Sequence, residues 1–167
     1  MFRRKRREGS QGADPAETYI ALRQQVLGFK TQDLGDGSGP DAPVIALLME
    51  TGYAEAVATL VGVVDGTTSL YFSNGGGVIG AGGHSQVADA TRRWLATGGA
   101  SLPRFSAAGD VQLPAQGVTQ FVAVTPDGAL SAAAPEEELG RGGHPLSRLF
   151  FAGQDVITCI RLTQEAE

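Results

Sequence analysis

Two aspartate-glycine turns, each followed at nearly the same distance by a Gly-Gly-His triplet, constrain this chain more than any other feature. Asp65-Gly66 precedes Gly82-Gly83-His84, and Pro126-Asp127-Gly128 precedes Gly142-Gly143-His144. Asp-Gly between runs of β-formers is a strong hairpin signal, because the two-residue turn needs positive φ. A glycine pair just before an amphipathic stretch reads as a corner into a helix. The chain therefore reads as two ββα units in tandem.

The first unit begins after Pro43. Val44 to Met49 is a nearly continuous apolar run, the pattern of a strand covered on both faces. Ala56 to Val64 and Thr67 to Ser73 form the hairpin. A glycine-dense loop, Asn74 to Gly83, leads to a helix from His84 to about Thr97. Val87, Ala88, Thr91, Trp94 and Leu95 give it an apolar face, and Gly98-Gly99 reads as its stop. Residues 99–115 read as irregular. The second unit pairs Gly117–Val124 with Ala129–Ala134. Glu136, Glu137 and Glu138 read as a solvated acidic loop. Pro145 opens a second helix that is expected to stop near Gly153, and Val156 to Leu162 reads as a last strand. Ahead of both units, Asp14-Pro15-Ala16-Glu17 has the form of a helix start, with Gly28 near its end. Residues 31–42 read as a loop.

The expectation is an α+β fold: an antiparallel sheet from two ββα units plus an N-terminal helix and a C-terminal strand, with helices packed on the sheet. Residues 1–13 form a basic leader that stays disordered, and residues 14–167 form one domain. A chain of 167 residues with 42% apolar and 19% charged residues supports a core of that size. No apolar run reaches the ~18 residues that a membrane-crossing helix needs. No apolar stretch follows the charged start as in a signal peptide, so a cytoplasmic location is expected. The single cysteine, Cys159, excludes an intrachain disulfide and reads as a buried, inert thiol.

Five of the 13 basic residues are Arg3, Arg4, Lys5, Arg6 and Arg7, leaving 8 against 18 acidic residues in the rest. An acidic body argues against nucleic-acid binding, which needs a basic face. The basic run, with Phe2 beside it, is a candidate contact for anionic lipid or an acidic partner; its plain reading is a hydrated tail.

Chemistry is thinly marked. The bare backbone at Gly75, Gly76, Gly77, Gly82, Gly83 and Gly143 suits an anion or ligand cradle at a helix entry. The spacing matches neither the dinucleotide fingerprint nor the phosphate-loop motif. The plainer reading is that these glycines permit positive φ and close packing. His84 and His144 sit at helix entries, where neutral imidazole is favoured and would suit a base. No Ser, Asp or Glu stands at a triad spacing, and Glu50 or Asp110 as a third metal ligand has nothing in the spacing to recommend it. Capping or packing is the plainer and favoured role for both histidines. Glu50 reads as lying at an exposed strand end. No catalytic residue, metal or cofactor is assigned.

The block Thr68-Ser69-Leu70-Tyr71-Phe72-Ser73-Asn74-Gly75-Gly76-Gly77-Val78-Ile79-Gly80, after Met49-Glu50-Thr51-Gly52-Tyr53, resembles a family of small uncharacterised bacterial proteins. The likeness covers roughly residues 43–162 and supplies no catalytic residue. The element order also resembles roadblock and profilin-like modules, which implies binding or scaffolding, often as dimers. The expected function is a non-enzymatic binding or adaptor module with a protein partner or a second copy. The alternatives are a small-molecule or phosphate sensor, or an enzyme, with one pocket joining the two Gly-Gly-His corners, and a peripheral membrane protein led by residues 2–7.

Overall fold

A computed structural model describes residues 15–33 and 42–166. Its centre is one antiparallel sheet with helices on both faces. The elements run α1 (Pro15–Leu27), β1 (Ala46–Gly52), β2 (Val57–Val63), β3 (Thr68–Phe72), β4 (Gly77–Val78), α2 (Ser85–Ser101), β5 (Ser106–Ala107), β6 (Val118–Thr125), β7 (Gly128–Pro135), α3 (Glu136–Gly140) and α4 (Ser147–Glu165). The strand order is β4-β3-β2-β1-β6-β7-β5. The fold is α+β, as the hairpin signals imply.

β1 lies at the middle and pairs with both β2 and β6. All seven of its residues are buried, which explains its unbroken apolar run. Alternation along the strand divides the core in two. Leu47 and Met49 face α2 and α4, with Trp94, Phe121, Leu149, Val156 and Ile160. Ala46 and Leu48 face the other way, toward α1, with Tyr19, Val26, Val61, Val63, Tyr71, Val122 and Val124. The Asp-Gly turns sit where expected, with Gly66 at φ 96° and Gly128 at φ 127°.

Several expectations are corrected. The run Val156 to Leu162 is the middle of α4, not a strand, so the sheet has no C-terminal strand. β-branched residues bias that run toward strand, yet Leu149, Gly153, Val156 and Ile160 repeat at helical spacing and are all buried. Gly153 does not stop this helix. A Cβ added there would lie 2.7 Å from Met49 Sδ and 3.1 Å from Trp94 Nε1, so the glycine lets α4 approach the sheet. Gly98 acts likewise within α2: an added Cβ would stand 2.9 Å from Leu47 Cδ2, and the helix runs on to Ser101.

Glu136, Glu137 and Glu138 are the first turn of α3 rather than a loop, with Pro135 at its N-cap. Three carboxylates suit the positive end of the helix dipole, and buried Leu139 anchors the turn. Residues 99–115 are not wholly irregular, because β5 adds to β7 within them. The basic run at residues 2–7 and the helix-start residue Asp14 lie outside the described residues. Cys159 is only half-buried and packs against the α2–α4 core.

Candidate functional site

The glycine-dense loop after β3 forms one wall of a cleft of about 370 Å³. Gly75, Gly76 and Gly77 line it opposite Thr18, Tyr19 and Leu22 of α1, with Tyr71, Phe72 and Ile79 completing the walls. The loop is built by backbone bonds: Gly75 N donates to Phe72 O (3.0 Å), and Phe72 N donates to Gly76 O (3.2 Å). Gly77 has to be glycine. Its φ is 139°, and an added Cβ would sit 2.3 Å from Leu70 O. Ile79 stands at the rim and is 68% exposed. The walls are mostly aromatic and aliphatic, and no charged side chain among the described residues lines the cleft.

Beside the cleft, under α1, lies a polar row that is buried from Tyr71 to Glu50 and half-buried at Gln120. Register places Tyr71 on β3 opposite Thr59 on β2, Thr59 opposite Glu50 on β1, and Glu50 opposite Gln120 on β6. α1 lowers Tyr19 and Arg23 onto this row. Arg23 grips Glu50 with two bonds: Nε to Oε2 at 2.8 Å and Nη2 to Oε1 at 3.0 Å. Its Nη1 also donates to Val111 O at 3.2 Å. Thr59 Oγ1 donates to Glu50 Oε2 at 3.4 Å, so the 2.7 Å bond between Tyr19 and Thr59 takes its proton from Tyr19. Glu50 is fully buried, which corrects the exposed strand-end reading.

Burial opposes the charge on Arg23, but the hydrogen bonds and charge of Glu50 overcome it and raise the guanidinium pKa above its ordinary value. Burial is the main reason that both phenols hold their protons more tightly than usual; at Tyr71 the nearby Tyr19 and Glu50 add to it. The Tyr71 hydroxyl is buried with no hydrogen-bond partner among the described residues. The two rings meet edge to face at 5.6 Å.

The two Gly-Gly-His corners are not brought together. Trp94 of α2 abuts Gly153 of α4, and Gly98 of α2 lies against Leu149, so the two helices run antiparallel. At about 1.5 Å per helical residue, His84 and His144 stand at opposite ends of the helix layer, roughly 25 Å apart. One pocket cannot join them. Their surroundings also differ. His84 is an exposed N-cap residue of α2 whose ring makes no capping bond. Gly82 packs against the first hairpin turn, where an added Cβ would lie 2.0 Å from Gly66 O. His144 follows α3, and its Nδ1 accepts a bond from Leu146 N at 3.0 Å, so its ring satisfies backbone at the entry to α4. Gly83 and Gly143 have open space around them.

Of the glycines singled out in the sequence, Gly75, Gly76 and Gly77 thus form a shared wall, while Gly82, Gly83 and Gly143 do not join it. Sequence reasoning missed Tyr19, Arg23, Thr59 and Gln120, and misplaced Glu50. A signal existed: Tyr19, Arg23 and Val26 fall on one helical face, and a charged residue there calls for a buried partner. Among the described residues, no group of three His, Cys, Asp or Glu is placed to hold a metal ion. None of the described helices is long and apolar enough to cross a membrane.

Comparison with protein-family models, with curated proteins and with solved structures finds no match to this chain.

Proposed function

We propose that this protein is a binding or adaptor module that takes an apolar group of a partner into the cleft between α1 and the glycine loop. The observation that carries this reading is the make-up of that cleft. Aromatic and aliphatic side chains face bare glycine backbone across a space of about 370 Å³, with exposed Ile79 at the mouth. That volume lies within the usual range for small-ligand sites, about 300–1,000 Å³. Aromatic walls supply contact area at low entropy cost, and the glycine backbone lets a guest come close.

The cleft favours this over the phosphate-sensor reading, because among the described residues its lining is mainly aromatic and aliphatic and includes no cationic side chain. An enzymatic role would need a base and a nucleophile in reach of each other. The ion-paired carboxylate nearest the cleft, Glu50, is engaged with Arg23 inside the protein. The likeness of element order to roadblock and profilin-like modules points in the same direction as the cleft.

The test is an amide chemical-shift titration with a fragment set that includes aromatic, aliphatic and phosphate members. Aromatic or aliphatic fragments are expected to move Tyr71, Gly75, Gly76 and Gly77, and Ile79→Asp is expected to weaken them at least several-fold. If only inorganic phosphate moves these amides, the sensor reading replaces this one. If no fragment moves them, the cleft is not the binding site.

A further inference from the structure

Two phenols stand in the wall of the cleft, and their hydroxyls fare differently. Tyr19 donates its proton to Thr59, so its polar end is satisfied inside the protein. Tyr71 is only 5% exposed, and its hydroxyl is buried with no hydrogen-bond partner among the described residues. The neighbouring polar groups are committed elsewhere: Glu50 to Arg23, and Thr59 to Tyr19 and Glu50. A buried hydroxyl left unpaired is destabilising, and a phenylalanine would fill the same wall without that penalty. On the facing wall, the bonds that build the glycine loop use the Gly75 amide and leave the Gly76 N–H without a backbone acceptor. An apolar lining thus carries two donors that lack an acceptor.

We propose that the group taken into this cleft is neutral and bears a carbonyl oxygen on an aromatic or branched aliphatic body, with the Tyr71 hydroxyl as donor to that oxygen. The proposal rests on the cleft reading above and names the class of its ligand. Burial holds the proton on the Tyr71 oxygen, so the phenol is present as a donor at neutral pH. The ligand is neutral because no cationic side chain among the described residues lines the cleft, and the neighbouring guanidinium, Arg23, is already matched to Glu50. A carboxylate placed there would leave water without a counter-charge, beside a carboxylate that is itself buried. A space of about 370 Å³ lies at the small end of ligand sites, which suits one ring or one branched side chain. On a partner, the same residue can supply both the apolar side chain and the carbonyl next to it.

The experiment titrates full-length wild type and Tyr71→Phe with acetophenone and with α-methylstyrene, in which a methylene of similar shape replaces the carbonyl oxygen. Amide shifts at Gly75, Gly76 and Gly77 report binding. Loss of the phenol oxygen is expected to weaken acetophenone about three- to tenfold, the worth of one neutral hydrogen bond, and to leave α-methylstyrene within about twofold. Benzoate is expected to bind the wild type more weakly than acetophenone does. A further readout needs no variant: the carbonyl carbon of bound acetophenone should resonate downfield of its position in hydrocarbon solvent, as in a hydrogen-bonded ketone. If Tyr71→Phe changes the two fragments equally, or changes neither, the proposal is overturned while the cleft reading stands. Tighter binding of benzoate, or a bound carbonyl that resonates as in hydrocarbon, overturns it in the same way. If neither fragment moves the loop amides of the wild type, the cleft reading falls and this proposal with it.

Discussion

Arg23 and Glu50 show how one residue pair can settle where an element goes without adding much stability. A buried ion pair roughly breaks even against desolvation, yet removing one partner leaves an uncompensated charge. Arg23→Ala is therefore expected to cost about 3–5 kcal/mol in urea unfolding, and Glu50→Gln somewhat less. The double change Arg23→Ala/Glu50→Ala should cost less than the two single losses added together. Tyr71→Phe should behave in the opposite way. Its hydroxyl has no partner, so deleting it is expected to leave stability unchanged or raise it by about 1–3 kcal/mol, the usual desolvation penalty of an unsatisfied group. The phenols also set a pH limit. Tyr19 and Tyr71 titrate higher in the folded chain than in the unfolded one, where the value is about 10. Below that pH both states are neutral at these positions and stability is intact. Above it the unfolded chain loses protons first, so stability falls as pH rises. Urea midpoints between pH 8 and 11 should show this fall, and Tyr71→Phe should make it shallower.

At the scale of elements, the sequence made the hairpins legible and the helix ends poorly so. Asp65-Gly66 and Asp127-Gly128 mark turns by a local backbone rule, which nothing distant can overrule. Gly98 and Gly153 look like stops by the same kind of rule, but each is needed for close packing on the sheet, a long-range demand that local reading does not contain. The same division runs through the site. The glycine loop was visible as a feature and does line a cleft, whereas the polar row under α1 was not. Its members come from α1, β1, β2, β3 and β6, and only strand register brings them into one row. The repeated Gly-Gly-His triplet was legible as punctuation but misleading as chemistry, since its two copies sit at opposite ends of an antiparallel helix pair. Two alanine substitutions one residue apart test the packing account. Gly82→Ala drives a Cβ into the Gly66 carbonyl and should destabilise by more than about 1 kcal/mol. Gly83→Ala meets open space and should be neutral or stabilise by about 0.4–1 kcal/mol. Thermal melts of the two variants separate these outcomes.

The whole molecule is a sheet with two unequal covers. α2 and α4 hold the larger core, which contains the chain's single tryptophan, fully buried Trp94. α1 is the main cover of the other side in the described residues, with Phe29 and Val111 packed beside it. The two sides are therefore expected to respond separately. Arg23→Ala should speed exchange in α1 while Trp94 emission stays at the short wavelength of a buried indole. A red shift in that variant would mean that both faces loosen as one unit.

The sheet ends on each side in a strand of two residues, β4 (Gly77–Val78) and β5 (Ser106–Ala107). Such stubs give a passing chain very few backbone groups to pair with. An added strand would find little to grip at these stubs themselves, and the longer run of β7 that β5 leaves uncovered, Ala132 to Ala134, is where edge-to-edge growth would have to begin.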